Sequence, residues 1–292
     1  MRILGSWLHR TPRDRVVLSL SLERVLLARA TPDWVFAEER CQGQADWARA
    51  IAALIQRTAS QGARVSVLLE AGLYQQVQIE RPEVPDEELA GALPWAVKDF
   101  VSEPVTQLGL DYYSLPTNPA ARPRLAVVGV NRQRLRAIAD AVNAVARLER
   151  VGTEELALAD LPGVAPQMVL LLFQLPERDL QLLAICEGRL CFSRQLRGFT
   201  ALTRQPLATL DSLIADNLLL ELQRSMDYLV AQLKLPAVSQ LYVAIDTPDP
   251  AAVAQYLQQN LALTVHTIDP PAGAQGRFWL PLVGHLQQEW VE

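Results

Sequence analysis

The order of strands and helices predicted from the sequence most constrains the fold, because the same order occurs twice. In the first half the pattern predicts strands at 15–20, 24–30 and 33–40, a helix at 45–60, strands at 64–70 and 124–130 (RLAVVGV), a helix at 132–146 and a strand at about 148–152. In the second half it predicts strands at 167–174, 180–187 and 189–196, a helix at 207–234, a strand at 239–246 (SQLYVAID), a helix at 250–260, a strand at 261–268 (LALTVHTI) and a helix at 278–290. Apart from an extra stretch in the first half, each half follows the order strand, strand, strand, helix, strand, helix, strand.

This order predicts an α/β protein with two lobes and a cleft between them. Three closely spaced strands favour a meander, and strands that alternate with helices favour right-handed parallel crossovers. We expect a first lobe over 1–165, with an inserted subdomain at about 73–123, and a second lobe over 166–292. The closing helix at 278–290 is expected to pack back on the first lobe.

Composition excludes several classes of function. Half of the 292 residues are hydrophobic, which is enough for more than one core, and the net charge is −5. Without a basic excess we expect no nucleic acid partner and no direct attraction to a charged membrane. Three scattered cysteines (Cys41, Cys186 and Cys191) argue against a disulfide framework and favour a reducing compartment, and no metal site is predicted.

Neither a membrane span nor a signal peptide is predicted. The longest apolar run, Met168–Phe173, is far shorter than the roughly 20 residues that a transmembrane helix needs. The basic start MRILGSWLHRTPRDR is either a short amphipathic arm that touches a membrane or a partner, or a frayed terminus.

The duplicated order is that of the actin, sugar-kinase and Hsp70-like ATPases, and four stretches narrow the resemblance to one family. These stretches are LPWAVKDFVSEPVTQLGLDYYSL (93–115), RLCFSRQLRGF (189–199), LLLELQRSMDYLVAQL (218–233) and FWLPLVGHLQ (278–287). In order and spacing they resemble PilM-type pilus assembly proteins, and among these the component of the mannose-sensitive haemagglutinin (MSHA) pilus system.

The resemblance implies a scaffold for type IV pilus biogenesis. It implies a cytoplasmic protein that is peripheral to the inner membrane and reaches the membrane only through its partners. The implied partner is the cytoplasmic tail of a PilN-like bitopic protein (MshJ-like in the MSHA system), and other pilus platform or motor proteins are further candidates.

Nucleotide binding in the actin-like superfamily uses two glycine-containing hairpins, whose amides approach the phosphates and whose aspartates hold Mg²⁺ through water. At the first hairpin the Asp-x-Gly pattern falls on Ser19 and Ser21, with Glu23 in the turn. At the second hairpin it falls near Gln174 and is followed by a proline, which lacks an N–H. Where the adenosine turn has Gly-Gly, this chain has Thr247 and another proline.

We therefore predict a degenerate nucleotide site with no catalytic residue and no ATP, Mg²⁺ or other cofactor. The alternative is an ATPase of the same fold whose ATP state controls partner binding. In that case carboxylates near the hairpins would substitute for the missing aspartates, namely Glu23, Glu177, Asp179 and Asp246. A small-molecule kinase is a third possibility, but no catalytic aspartate or phosphate loop can be assigned.

The inserted segment carries a dense aromatic cluster that suits partner binding. Its members are Trp95, Phe100, Tyr112 and Tyr113, and Pro94 is expected to kink the helix beside them. Aromatic side chains are common anchors in interface pockets, which predicts that the insert and its lobe form a groove for the partner's tail. The alternative is that these aromatics only pack the insert onto its lobe.

Overall fold

A computed structural model describes residues 15–30, 34–116, 122–163 and 167–288 of the 292. The basic N-terminal arm lies outside the described residues. The first half contains β1 (Arg15–Leu20), β2 (Arg24–Arg29), β3 (Val35–Arg40), α1 (Trp47–Arg57), β4 (Arg64–Leu69), β5 (Gln75–Glu80), α2 (Asp86–Val97), β6 (Leu108–Leu115), β7 (Arg124–Asn131), α3 (Arg132–Asn143), β8 (Arg147–Thr153) and α4 (Glu154–Ala159). The second half contains β9 (Met168–Gln174), β10 (Leu180–Cys186), β11 (Arg189–Leu196), α5 (Ser212–Ala231), β12 (Val238–Ile245), α6 (Pro250–Asn260), β13 (Thr264–Thr267) and α7 (Leu280–Gln288).

The two lobes have matching sheets. The first sheet has the order β3-β2-β1-β4-β8, and the second has the order β11-β10-β9-β12-β13. In each sheet the meander strands pair antiparallel, whereas the crossover strands pair parallel. The duplicated βββαβαβ architecture predicted from the sequence is therefore confirmed.

Five layers make up the two-lobed body. Helices α1 and α3 cover the outer face of the first sheet, where Trp47, Ile51 and Leu54 are fully buried. Helices α5 and α6 cover the outer face of the second sheet. Helices α4 and α7 lie between the two sheets and contribute to the core on both sides. Because layers cover both faces of β1 and β9, these strands read as near-continuous apolar runs.

The insert is a three-stranded antiparallel sheet in the order β5-β7-β6, with α2 packed on it through Leu89, Leu93 and Val97. Its central strand is β7, so the subdomain extends beyond the predicted boundary at 123. At the end of β7, Asn131 accepts hydrogen bonds from two amides of α3, as its sequence position at a helix start predicts.

Helices α4 and α7 touch at a glycine. A Cβ atom at Gly284 would collide with the carbonyl oxygen of Ala157 and would lie 3.2 Å from Cγ of Leu161. Only glycine allows this close approach of two backbones. The predicted closing helix at 278–290 is observed as α7, which packs against α4, β1 and β2.

Candidate functional site

The first hairpin satisfies its own amides. In the β1–β2 turn, the Ser21 hydroxyl accepts from the amides of Glu23 (3.2 Å) and Arg24 (3.0 Å) and donates to the Arg24 carbonyl (3.1 Å). The indole of Trp47 donates to the Ser21 carbonyl at 2.8 Å. Ser19 lies before the turn, buried in β1 between β2 and β4. The amides of Ser21, Glu23 and Arg24, which would face a phosphate, are therefore already bonded.

The second hairpin is held by a buried glutamine. The side-chain amide of Gln174 donates to the carbonyls of Arg178 (2.9 Å) and Phe199 (3.1 Å). Its backbone carbonyl accepts from the amide of Asp246 at 2.9 Å, which ties the hairpin to the end of β12. Gln174 thus fixes the shape of the turn instead of facing the cleft.

Arg178 crosses the cleft from this hairpin to the first lobe. Its guanidinium donates to the Glu70 carboxylate at the end of β4 and lies 3.9 Å from the Glu154 carboxylate at the start of α4. Burial raises the pKa of Glu154 to about 7; the charge of Glu70 adds to this shift, and Arg178 opposes it. The positive charge between the two hairpins is therefore supplied by the protein's own Arg178 side chain.

The carboxylates predicted as possible metal ligands are mostly paired with arginines. Glu177 pairs with Arg204, and Asp179 lies 3.8 Å from Arg197. Asp246 lies 3.9 Å from Arg277. Among the described residues, no group of three or more His, Cys, Asp or Glu side chains could hold a metal ion.

The adenosine-side turn after β12 is also bonded locally. Thr247 is buried, and its hydroxyl accepts from the amide of Asp249 at 3.5 Å. Asp249 in turn caps α6 by accepting from the amide of Ala252 at 3.1 Å. Thr247 therefore helps to start a helix.

A second buried carboxylate joins three parts of the molecule. Glu155 on α4 accepts hydrogen bonds from Gln76 of the insert (2.8 Å) and from Gln181 (2.7 Å) and Ser193 (2.9 Å) of the second lobe. Burial raises the pKa of Glu155, and the three hydrogen bonds oppose that rise. Sequence reasoning missed both glutamates, because six residues are too few for α4 to show helical periodicity.

A separate space, here called the three-edge pocket, opens where the outer strands of all three sheets meet. It is lined by β6 at residues 113–114, by β8 at residues 150–153 and by the β10–β11 turn and start of β11 at residues 188–190, with part of α4 as its floor. Its volume is about 560 Å³. Burial raises the pKa of Asp160 in this pocket to about 7 and lowers that of His285 to about 4. The pocket therefore combines strand edges, an apolar floor and titratable groups.

The structure separates the four aromatics predicted as partner-binding. Trp95 is 77% exposed on α2, and Phe100 is 67% exposed just after that helix. Tyr112 packs half-buried against the core of the insert. Tyr113 points from the opposite face of β6 toward the second lobe, where burial raises its pKa, and of the four it alone lines the three-edge pocket.

The two matching lobes and the cleft between them are those of the actin-like ATPase fold. Solved structures of this class resemble the chain over nearly its full length. The PilM-PilN type IV pilus biogenesis complex matches with a TM-score of 0.69 and 15% identity, covering 96% of this chain and 100% of that one. The cytoplasmic domain of EpsL, an inner membrane component of the type II secretion system of Vibrio cholerae, matches with a TM-score of 0.53 and 18% identity, covering 93% and 94%.

A Bacteroides thetaiotaomicron protein with actin-like ATPase fold and unknown function also matches, with a TM-score of 0.54 and 10% identity, covering 94% and 96%. No family model matches the chain, and no curated protein does. These identities are low, so the similarities establish the fold alone. Within the described ranges, no helix combines the length and apolarity needed to cross a bilayer.

Proposed function

We propose that this protein is a cytoplasmic adaptor of a type IV pilus assembly platform that binds the tail of a PilN-like membrane protein. The similarity to the PilM of a PilM-PilN complex and the four sequence stretches that resemble PilM-type proteins support this role. In its finer form the proposal is an MshI-like component of an MSHA system, peripheral to the inner membrane, with an MshJ-like partner. Other platform or motor proteins would then bind elsewhere on the same frame.

The three-edge pocket is the observation that carries the proposal. An outer strand has backbone groups on its free side that can pair with an extended peptide, and pockets beside it can select side chains. Leu68, Leu156 and Leu190 give the pocket an apolar floor. Arg189 donates to the Ser114 carbonyl at 3.4 Å, so the second lobe and the insert meet at its rim. An extended tail that enters the pocket would contact both lobes and the insert together.

The second part of the proposal is that the cleft is not a Mg-ATP site. Phosphates would have to compete with the Ser21 hydroxyl for the turn amides. Mg²⁺ would have to displace the Arg178 guanidinium from Glu70 and Glu154. The residues present thus do not fit the nucleotide and metal of the wider superfamily. We propose that the lobes serve as a docking frame without turnover.

Blocking the pocket tests the adaptor function. A Cβ atom at Gly152 would meet only Cδ2 of Leu68 at 3.7 Å, so Gly152→Leu fills the pocket without backbone strain. We expect it to weaken binding of the PilN-like partner's cytoplasmic tail peptide at least about tenfold, as for loss of a central contact. Calorimetric titration measures this, and unfolding curves verify that the variant is folded.

Trp95→Ala is the matched control, because Trp95 lies outside the pocket and should leave tail affinity unchanged. Equal affinity of wild type and Gly152→Leu would contradict the pocket assignment. Loss of tail binding in Trp95→Ala would instead place the tail-binding site at the exposed aromatic residues of the insert.

Thermal unfolding with saturating Mg-ATP tests the cleft. A ligand that binds only the folded state raises its melting temperature. We expect no shift. A clear shift that Glu23→Gln abolishes would establish the nucleotide-binding alternative.

A further inference from the structure

The insert presents an aromatic face that the proposed tail site does not use. Trp95 and Phe100 are the two most exposed large apolar side chains in the described part of the chain. Trp95 lies on the side of α2 opposite to the buried Leu89, Leu93 and Val97, and Phe100 lies in the turn just after the helix. Scattered single apolar residues on a surface are normal, whereas a tryptophan and a phenylalanine exposed to this degree within five residues of each other suggest a binding surface.

Carboxylates bracket the indole along the helix. Glu88 lies two turns before Trp95 on the same side of α2, and Asp99 follows Trp95 by four residues, in the turn just after the helix. Neither carboxylate has an ion-pair partner within the described residues. Gly91 lies one turn before Trp95, and a Cβ atom there would meet nothing within 4 Å. Since helical side chains lean toward the N-terminus, this glycine leaves an open shelf beside the indole.

The backbone adds a further acceptor. Pro94 lies inside α2 and has no N–H, so the carbonyl of Ala90 lacks its usual helical donor. Lys98 Nζ, at the C-terminal end of α2, lies 5.9 Å from the centroid of the Trp95 ring, so the π face already attracts a cation, which an incoming guanidinium would replace. The carboxylates, the Ala90 carbonyl and the π face of the indole all favour a cationic hydrogen-bond donor.

We propose that this surface, the Trp95 face (Glu88, Gly91, Trp95 and Asp99), docks an arginine-bearing segment of a protein partner. A guanidinium is planar, stacks on indole rings and donates five hydrogen bonds, whereas an ammonium is compact and more strongly hydrated. The site is distinct from the three-edge pocket and would add a second partner to the adaptor.

Charge complementarity selects this occupant over two others. An anionic membrane would be repelled by Glu88 and Asp99. A second copy of the chain would have to bring its own exposed apolar surface. In the described ranges the other such helix face is on α5, at Leu213 and Leu220. That face is also mainly acidic, with Asp216 and Asp227 beside one arginine, Arg224, which already pairs with Glu221.

A labelled peptide of alternating arginine and glycine tests the proposal. Its binding to the full chain is followed by fluorescence anisotropy at low salt, beside peptides with lysine or neutral citrulline in place of arginine. We expect the arginine peptide to bind most tightly and Trp95→Ala to weaken it about fivefold, as for the loss of one cation–π contact. Glu88→Gln should also weaken it, whereas Asp227→Asn, an equal change of charge on α5, should not.

Three results would overturn the proposal. The first is equal affinity for the arginine and citrulline peptides. The second is unchanged arginine-peptide binding in Trp95→Ala. The third is Trp95-dependent self-association in sedimentation, or Trp95-dependent binding to anionic vesicles. Tail binding through the pocket would survive each result, so failure here is distinguishable from failure of the adaptor function.

Discussion

The cleft and the three-edge pocket are built from the same two lobes, yet their polar groups are used differently. In the cleft, the side chains of Ser21, Gln174 and Arg178 form hydrogen bonds with the protein's own backbone and carboxylates. In the pocket, the outer strands of three sheets converge around an apolar floor. A ligand that enters the cleft must break existing hydrogen bonds. A peptide that enters the pocket can instead pair with the free edges of the strands that line it.

This difference indicates that a fold can keep its architecture while its binding site moves to another part of the molecule. Helices α4 and α7 lie between the sheets; α4 lines both spaces, with Glu154 in the cleft and Ala157 in the pocket, and α7 adds His285 to the pocket. Substitutions in the helices between the sheets should therefore disturb both the cleft and the pocket. Substitutions of residues that line only one of the two should disturb only that one.

The largest effect is expected at the contact between α4 and α7. Gly284→Val forces a side chain into the Ala157 carbonyl, and separating two packed backbones should lower the free energy of unfolding by about 4 kcal/mol or more. Urea denaturation measures this. Gly91→Ala, in a helix but facing open space, is the control and should raise stability by about 0.5–1 kcal/mol. Equal effects of the two substitutions would contradict the close packing.

A smaller loss is expected from removing the cation in the cleft. Arg178→Gln leaves Glu70 and Glu154 buried without their partner. Uncompensated buried charges cost several kcal/mol, but Arg178 is one-third exposed, so we expect about 2–3 kcal/mol at about pH 8. Adding Glu70→Gln should recover part of the loss. No recovery in the double variant would show that Arg178 acts through packing alone.

Protonation should affect the cleft and the pocket alike, through one buried carboxylate in each. Burial raises the pKa of Glu154 in the cleft and of Asp160 in the pocket, each to about 7. The folded protein then holds a proton more tightly than the unfolded chain does. The stability that each proton provides is present at low pH and is lost as the pH rises through 7.

The free energy of unfolding should therefore fall by about 1–2 kcal/mol between about pH 6.5 and 8. Glu154→Gln and Asp160→Asn should each flatten part of this slope, as denaturation at a series of pH values would show. Below about pH 6.5 the lowered pKa of His285 acts in the opposite direction, because a neutral buried imidazole loses stability as the pH falls. A profile that rises between pH 7 and 8 would contradict the assignment of both carboxylates.

The smallest effect concerns the first hairpin. Ser21→Ala removes the hydroxyl that bonds two amides and one carbonyl of the turn, which should cost about 1 kcal/mol. Ser21→Thr keeps a hydroxyl and should restore most of that loss in the same denaturation measurement. If both variants behave alike, the turn does not depend on this hydroxyl.

Much of the fold could be predicted because it is written in local patterns. The apolar runs of β1 and β9, the amphipathic α1 and the asparagine cap of α3 each follow from a few neighbouring residues. The boundary of the insert could not be predicted in this way. The strand β7 looks like any buried strand, and only its pairing with β5 and β6 assigns it to the small sheet.

The candidate sites depended on contacts that sequence spacing does not reveal. Arg178 and Glu70 are 108 residues apart, and the three donors to Glu155 come from two different sheets. Aromatic density drew attention to the insert. Alternation along β6, however, places Tyr112 and Tyr113 on opposite faces, so proximity in sequence did not imply a common groove.

One titration tests the central claim most directly: calorimetric binding of the PilN-like tail peptide to the full chain, with and without saturating Mg-ATP. We expect tight binding that is equal in both conditions and is weakened at least about tenfold in Gly152→Leu. If tail binding requires Mg-ATP, or if its affinity changes with Mg-ATP, nucleotide in the cleft controls partner binding. That result would contradict our proposal that the protein binds its partner without nucleotide.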